Sequence, residues 1–557
     1  MKKLYLLILI NTFFINTEAQ TFDWAKREGF YAYDYGYGIG TDNAGNVYVA
    51  GKYEDTANFS GITLPCAGNH DIYLAKYTAL GALSWIRTGG GLLGDYAHSM
   101  STDGTNYVYI AGEIEGTGVI SFPGSSITLT GHGNNDLFLA KYSLDGTLLW
   151  ARSEGNWGDE KALGITQDNS GNLYITGFYT DSTNFEGTTI PGAGYRDMFI
   201  AKYDAGGNFL WMKHAGSAGR EEGTSIKCDA SGNVYVCGMY NDGADFSGTT
   251  LTTPLTSSGH YANGYLAKYS PSGSLAWVKS FGGDYDDVAY SLTVDNAGKV
   301  YVTGNFNAYA TFGSFAIATV ARADIFVAAF DPTTGNVLWV TQAGGVLDDI
   351  ARGIGTDGTN LFITGQYGST AAGSTAAFGS TSLTAADSSD IFIAGLSNTG
   401  TFTWAMTVGG IHDSVETLGY ESGITVTAKP TGEVYVAGAL LDGGIFGTTS
   451  YTKYGRTDAF IAKILQAGVA VPEINGVGDL RIYPNPSNGI FSLDVSKMRG
   501  QKLEMTVQNC LGQIIDKKTQ NADALINVDL SAQKKGIYFV EIIAENEKIY
   551  REKIILQ

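Results

Sequence analysis

The sequence predicts an all-β fold: a seven-bladed β-propeller closed by its N-terminal strand, followed by a smaller β-rich domain at the C-terminal end. Three observations predict it. Trp24, Trp85, Trp150, Trp211, Trp277, Trp339 and Trp404, seven of the eight tryptophans, recur every 61 to 66 residues, and a fixed long period marks one folding unit copied along the chain. Two further signatures keep step with the tryptophan. One is a turn feeding an apolar run, from DNAGNVYVAG at 42–51 to KPTGEVYVAG at 429–438; the other is acid–apolar–aromatic–apolar–alanine, from DIYLA at 71–75 to DAFIA at 458–462. Asp, Asn and Gly supply tight turns, and Val, Ile, Tyr and Phe suit a pleated, buried surface. Apolar residues on both faces of these runs imply sheets stacked between sheets. Each copy offers about four strands, and four strands in seven copies match a propeller.

The elements follow in order. MKKLYLLILINTFFINTEAQ has a basic start, an apolar stretch and small residues Thr17 and Ala19 at cleavage spacing, which predicts a secretory signal over 1–19. Too short to span a bilayer, it is followed by no run of ~18 apolar residues, so no transmembrane segment is expected after cleavage. The propeller is predicted over 20–466, with strands of the first repeat near 36–42, 46–53, 71–77 and 82–88. Its D-x-x-GN-x-Y-x-x-G core and tryptophan strand resemble the bacterial seven-bladed repeat of secreted proteins, a resemblance that is specific in architecture and silent on activity. The seventh copy stops after DAFIAKIL without a tryptophan strand, while FDWAKREG at 22–29 precedes any turn signature. Pairing these two removes an open sheet edge.

A linker is expected over 467–478 and a separate domain over 479–557. YPNPSNG at 483–489, GIYFVEI at 536–542 and the lysine-containing end at 548–557 look like the type A C-terminal sorting domain of the type IX secretion system of Bacteroidetes. The resemblance implies a small β-sandwich, export through the type IX secretion machinery, removal of the domain, and a secreted, extracellular or surface-anchored product.

Charged residues make up 16 % of the chain and glycine 75 of 557, which suits turn-dense β structure. The net charge is −20, and from residue 473 on there are 11 acids and 11 bases, so the excess falls on the repeats. Such a surface argues against nucleic acid and anionic membrane as partners. Cys66, Cys228, Cys237 and Cys510 show no C-x-x-C spacing, so no zinc or redox motif is supported. All four read as free thiols, with a Cys228–Cys237 bridge across one hairpin, of offset register, as the alternative.

Catalytic motifs are absent: the six histidines are dispersed, and there is no G-x-S-x-G elbow or P-loop lysine. No catalytic residue, metal or cofactor is assigned. Candidate ligand-binding residues come in two groups. An acid lies ten residues after each of six tryptophans, at Asp34, Asp95, Glu160, Glu221, Asp287 and Asp349, with Asp413 nine after the seventh. They read either as an acidic funnel around a channel or as caps accepting backbone N–H groups. The second group breaks the symmetry: Tyr31, Tyr33, Tyr35 and Tyr37 before the first repeat, and Trp157 in the equivalent loop of the third. Aromatics beside carboxylates suit sugars, but they also pack over sheet ends. GSTAAGSTAAFGSTS at 368–382 reads as a flexible small-residue segment. The leading functional expectation is an exported, non-catalytic module binding a glycan or protein on its loop face. The alternatives are a polysaccharide hydrolase or lyase using carboxylates near the channel, and a structural surface component.

Overall fold

A computed structural model describes residues 20–241, 243–253, 261–368, 373–386, 389–410, 421–441, 443–452, 456–466, 481–495, 501–509, 514–521, 525–544 and 549–556. Residues 1–19, the linker, Cys510, His412 and Asp413 fall outside them. The chain divides into two compact units, one up to Ala467 and one from Gly468.

In the first unit each of the first six sequence repeats forms a four-stranded antiparallel meander, and the seventh supplies three such strands. In the first repeat the strands run Tyr35–Thr41, Val47–Phe59, Ile62–Tyr77 and Leu83–Gly89, innermost to outermost. The second repeat uses Asp95–Thr102, Tyr107–Glu115, Asn135–Ser143 and Leu148–Glu154. The apolar runs are buried on both faces: Val47, Tyr48, Val49 and Ala50 are wholly enclosed, as are Tyr73 and Ala75 of the other signature. Burying one such Val, Leu or Ile is worth about 1.5–3 kcal/mol, and every repeat supplies several.

Each signature element has a local cause. Asp42 accepts the Asn46 backbone N–H (2.8 Å), its amide (2.7 Å) and the Tyr48 hydroxyl (3.0 Å), closing the turn. Asp168 and Asp229 repeat the set. The glycine ending this signature faces the innermost strand, which bulges there. A Cβ on Gly112 would stand 1.7 Å from the Tyr96 carbonyl oxygen, so only glycine permits that approach. The tryptophan clasps the following repeat. Trp24 donates to the Ala79 carbonyl (3.1 Å), Trp85 to Leu144 (3.3 Å) and Trp339 to Asn398 (3.2 Å). Each indole thus covers the turn between the last two strands of its neighbour. Trp404 has no such turn to reach, because the seventh copy ends at Asp458–Leu465; it folds inward and packs on Gly395.

The N-terminal strand Thr21–Phe30 pairs antiparallel with Asp458–Leu465, from Thr21↔Leu465 to Glu28↔Ala459. Its irregularity at Phe22/Trp24 matches the bulge between third and outermost strands of the other copies. Lys463–Asp23 (2.8 Å) and Tyr451 donating to the Ala25 carbonyl (2.6 Å) add to the pairing. The innermost strands lie side by side in chain order, and the seventh, Ser422–Ala428, lies against the first.

One recurrent element was not foreseen. A short hairpin continues the second and third strands of each copy and reaches the outermost strand of the copy before, as in Gly282↔Thr311 and Gly344↔Ala377. The small-residue segment of the sixth copy, expected to be flexible, contains such a hairpin, Thr375–Phe378 with Thr381–Thr384, anchored by buried Phe378. Cys66, Cys228 and Cys237 are free thiols; Cys228 pairs with Val234 and Cys237 with Ser225 across the hairpin, so the two thiols are out of register.

In the second unit, Arg481–Tyr483, Ile490–Asp494 and Leu525–Asp529 form one sheet. Ile514–Asn521, Lys502–Asn509, Gly536–Ala544 and Ile549–Leu556 form another. A common core including Phe491, Leu493, Met505, Val528 and Val540 lies between them. The YPNPSNG motif is tied to the last strand: Ser487 N–H donates to the Ile555 carbonyl (2.8 Å), and Ile555 N–H to Asn485 Oδ1 (3.0 Å).

Candidate functional site

The predicted acids do not line an open funnel. Asp34, Asp95, Glu160, Glu221, Asp287 and Asp349 are each at most 1 % exposed, at the head of their innermost strands. Five of them accept the backbone N–H four residues back: Asp34 from Phe30 (3.1 Å), Asp95 from Gly91 (2.9 Å), Glu221 from Ser217 (2.8 Å), Asp287 from Gly283 (2.6 Å) and Asp349 from Gly345 (2.7 Å). The seventh place belongs to Glu421, 1 % exposed, immediately before Ser422–Ala428. The tryptophan count had pointed to Asp413. Counting back eight residues from the first position of the turn signature finds all seven, because the loop after Trp404 is longer than its counterparts.

Each acid meets the signature acid of the preceding copy. Oxygens of Asp136 and Glu160 would lie 2.1 and 2.9 Å from a Cβ on Gly155, and those of Asp34 and Asp458 2.4 and 2.8 Å from one on Gly29. A glycine five residues after each of the seven repeat tryptophans makes room for the pair. Burial, with the neighbouring carboxyl as a further cause, pushes Glu160 and Asp34 up to about 8 and Asp95, Glu221 and Asp349 up to about 7. Asp136 Oδ1 is buried without a hydrogen-bond partner. At one interface the signature acid is replaced by Asn263, beside Asp287.

Chemistry that differs from copy to copy gathers elsewhere: on the innermost strands of all seven copies, which line a cavity of about 360 Å³, and at the residue that follows the signature glycine. The residue after the signature glycine is Lys52, Glu113, Phe178, Met239, Asn305, Gln366 and Ala439 in turn. The cavity wall carries Tyr37, His98, Leu163, Thr224, Tyr290, Arg352 and Ile424 at corresponding places. Tyr35 stacks on Tyr37 (5.4 Å) and Tyr96 on His98 (5.5 Å), and the Lys52 ammonium faces the Tyr35 and Tyr96 rings at 5.2 and 4.9 Å. Burial lowers the Lys52 amine and, with Lys52 as a further cause, brings His70 down to about 4. Glu113 receives His98 (3.0 Å) and Lys161 (2.6 Å); burial opposes its charge, but these two hold it below the ordinary carboxylate range. Glu222 holds Arg220 (2.8 Å) and Arg196.

Of the predicted aromatics, Tyr35 and Tyr37 join this cluster. Tyr33 sits under Arg456, 5.3 Å from its ring. Tyr31 and Trp157 are 66 % and 79 % exposed on separate lead-in loops. Lys52, Tyr96, His98, Glu113, Lys161, Glu222 and Asn305 were missed; aligning the copies position by position around the signature glycine was the signal that would have found them. Among the described residues no group of three or more His, Cys, Asp or Glu is placed to hold a metal.

Residues 481–557 match the secretion system C-terminal sorting domain, and residues 23–52 match the beta-propeller repeat. The chain is thus a beta-propeller repeat protein with a C-terminal sorting domain, exported to the cell surface or the extracellular space. It is 28 % identical over 243 residues to an uncharacterized WD repeat-containing protein of Acanthamoeba polyphaga mimivirus, covering 38 % of this chain and 17 % of that one. It is 24 % identical over 189 residues to the regulatory protein FlaEY of Caulobacter vibrioides, covering 33 % and 20 %. The chain therefore spans a fifth or less of these relatives' length. Among solved structures it is similar to the extracellular domain of a putative one-component system of B. thetaiotaomicron (11 % identity, 94 % and 80 % covered, TM-score 0.18). It is also similar to puromycin hydrolase (11 % identity, 83 % and 58 % covered, TM-score 0.33).

Proposed function

We propose that residues 20–466 form a closed seven-bladed propeller that acts as a non-catalytic carbohydrate-binding module outside the cell. Residues 1–19 serve as a leader, and residues 479–557 are removed after export. Closure is supported by the N-terminal strand taking the outermost place beside Asp458–Leu465 and by the seventh innermost strand returning to the first. The observation that carries the binding reading is the contrast within each copy: the packing positions repeat, whereas the cavity-lining position of the innermost strand and the position after the signature glycine change chemistry from one copy to the next. A purely structural ring has no need of stacked tyrosines, a caged lysine and a His–Glu–Lys relay at one opening. Catalysis by the predicted acids is disfavoured because they are sealed between sheets.

Glycan-array and pull-down screening of the full secreted chain tests this. A glycan retained by the protein and released on Tyr37→Ala is the expected result. A folded protein that retains no partner refutes it, and turnover of a bound polysaccharide would replace it with the hydrolase or lyase reading.

A further inference from the structure

Resting on that reading, we infer that the part of the mouth between the fourth and fifth copies takes the end of a neutral, hydroxyl-rich glycan chain. A second cavity of about 470 Å³ opens here, within the range of small-ligand sites. It shares Glu222, Thr224 and Tyr290 with the central cavity, so the two form one mouth.

Three features select the ligand. Asn305, 7 % exposed, lines the cavity with its side-chain carbonyl oxygen buried and unpartnered; such an acceptor gains most from a ligand donor. The charges of the polar lining are already engaged: Glu222 holds Arg220, which also lines the cavity, and Arg196, and Asp286 takes the Ala262 N–H at 2.9 Å. Hydroxyl groups can donate to Asn305 and to these carboxylates, while a uronate or sulfate would have to compete with Glu222 for Arg220. Met239, Val288 and Ile350 give one apolar wall, suited to the C–H face of a sugar. Tyr285, 46 % exposed, packs against Tyr261 (5.3 Å) on the loops that carry Asp286 and Ala262, an aromatic lip for the next unit. No other copy combines these groups: Asn305 is replaced by Met239 in the fourth copy and by Gln366 in the sixth.

Calorimetry on the full chain with cellotetraose, laminaritetraose, mannotetraose and tetragalacturonate tests the inference. At least one neutral tetrasaccharide should bind and the galacturonate should not. Asn305→Leu should weaken binding about tenfold or more, the equivalent of one lost buried hydrogen bond. Met239→Trp, which fills the cavity, should abolish binding, and exposed Leu92→Ser should leave it unchanged. Unfolding midpoints near wild type show that the variants fold; should Asn305→Leu not fold, Met239→Trp carries the test. A neutral glycan bound equally well by both cavity variants overturns this site but leaves the carbohydrate-binding reading standing. Tighter binding of galacturonate overturns the ligand class, and no binding of any oligosaccharide overturns both.

Discussion

The carboxyl pairs between repeats make the stability of this protein depend on pH in the opposite sense from most. Glu160 and Asp136 converge on Gly155 in a buried space, and burial pushes Glu160 up to about 8. The folded state therefore keeps a proton that the unfolded chain loses near its ordinary value of 4.5. A folded-state value above the unfolded one gives stability that is complete below about pH 4.5 and is lost as pH rises towards 8. One proton contributes about 1.4 kcal/mol per pH unit in that window. Between pH 5.5 and 7.5 Glu160 alone thus costs the fold about 3 kcal/mol as an upper bound, since water entry and relaxation soften the penalty. Glu160→Gln holds the neutral form permanently. Urea unfolding followed by tryptophan fluorescence should show wild type losing stability across this range and the variant losing about 2–3 kcal/mol less. The natural control is the interface where Asn263 replaces the acid: Asn263→Asp should lower stability and steepen the pH dependence. Parallel curves for wild type and Glu160→Gln, or an unchanged slope in Asn263→Asp, would show that these carboxyls are ionised in the folded protein.

Deleting residues 21–30 should abolish cooperative unfolding, because it strips the seven-residue pairing with Asp458–Leu465 and bares a sheet edge; a truncated protein melting like the parent refutes closure by this strand. Gly112→Ala should cost about 3 kcal/mol by forcing the second strand off the Tyr96 carbonyl, read as a lower urea midpoint at constant slope. Trp277→Ala should cost about 3 kcal/mol, because its ring covers the turn of the next copy and bonds Pro332. Trp157→Ala should change stability by less than about 0.5 kcal/mol, since that ring stands 79 % exposed.

The parts of the fold legible in the sequence were those whose cause lies within a few residues. The Asp42–Asn46–Tyr48 turn is a local hydrogen-bond set, and the alternation of Tyr73 and Ala75 is local packing. The hairpins that latch one copy to the next were not legible, because stretches such as Ala376–Ala377 carry little β signal; what fixes these hairpins is a buried Phe185 packed on Phe199 and Phe209, or a buried Phe378 packed on Phe392 and Phe402. The count reached Asp413 because it started from an outermost strand, across a loop free to change length. The acid belongs to the innermost strand, and its distance to the following turn is held by a single strand of fixed extent.

The same distinction separates scaffold from site. A carboxyl pair under a glycine, a tryptophan over a turn and a glycine against a carbonyl recur because each answers a packing demand identical at every interface. Asn263 shows what such a demand tolerates: a neutral isostere of a protonated aspartic acid. No shared packing demand fixes the position after the signature glycine, so Lys52, Glu113, Met239 and Asn305 are free to differ. Burying a lysine to 7 % exposure between two tyrosine rings, or leaving an amide carbonyl unpartnered beside an open cavity, costs stability. Departures from local packing rules concentrate where proteins work. In a chain that repeats its packing solution seven times, departures gathered around one cavity support the proposal that a ligand binds there.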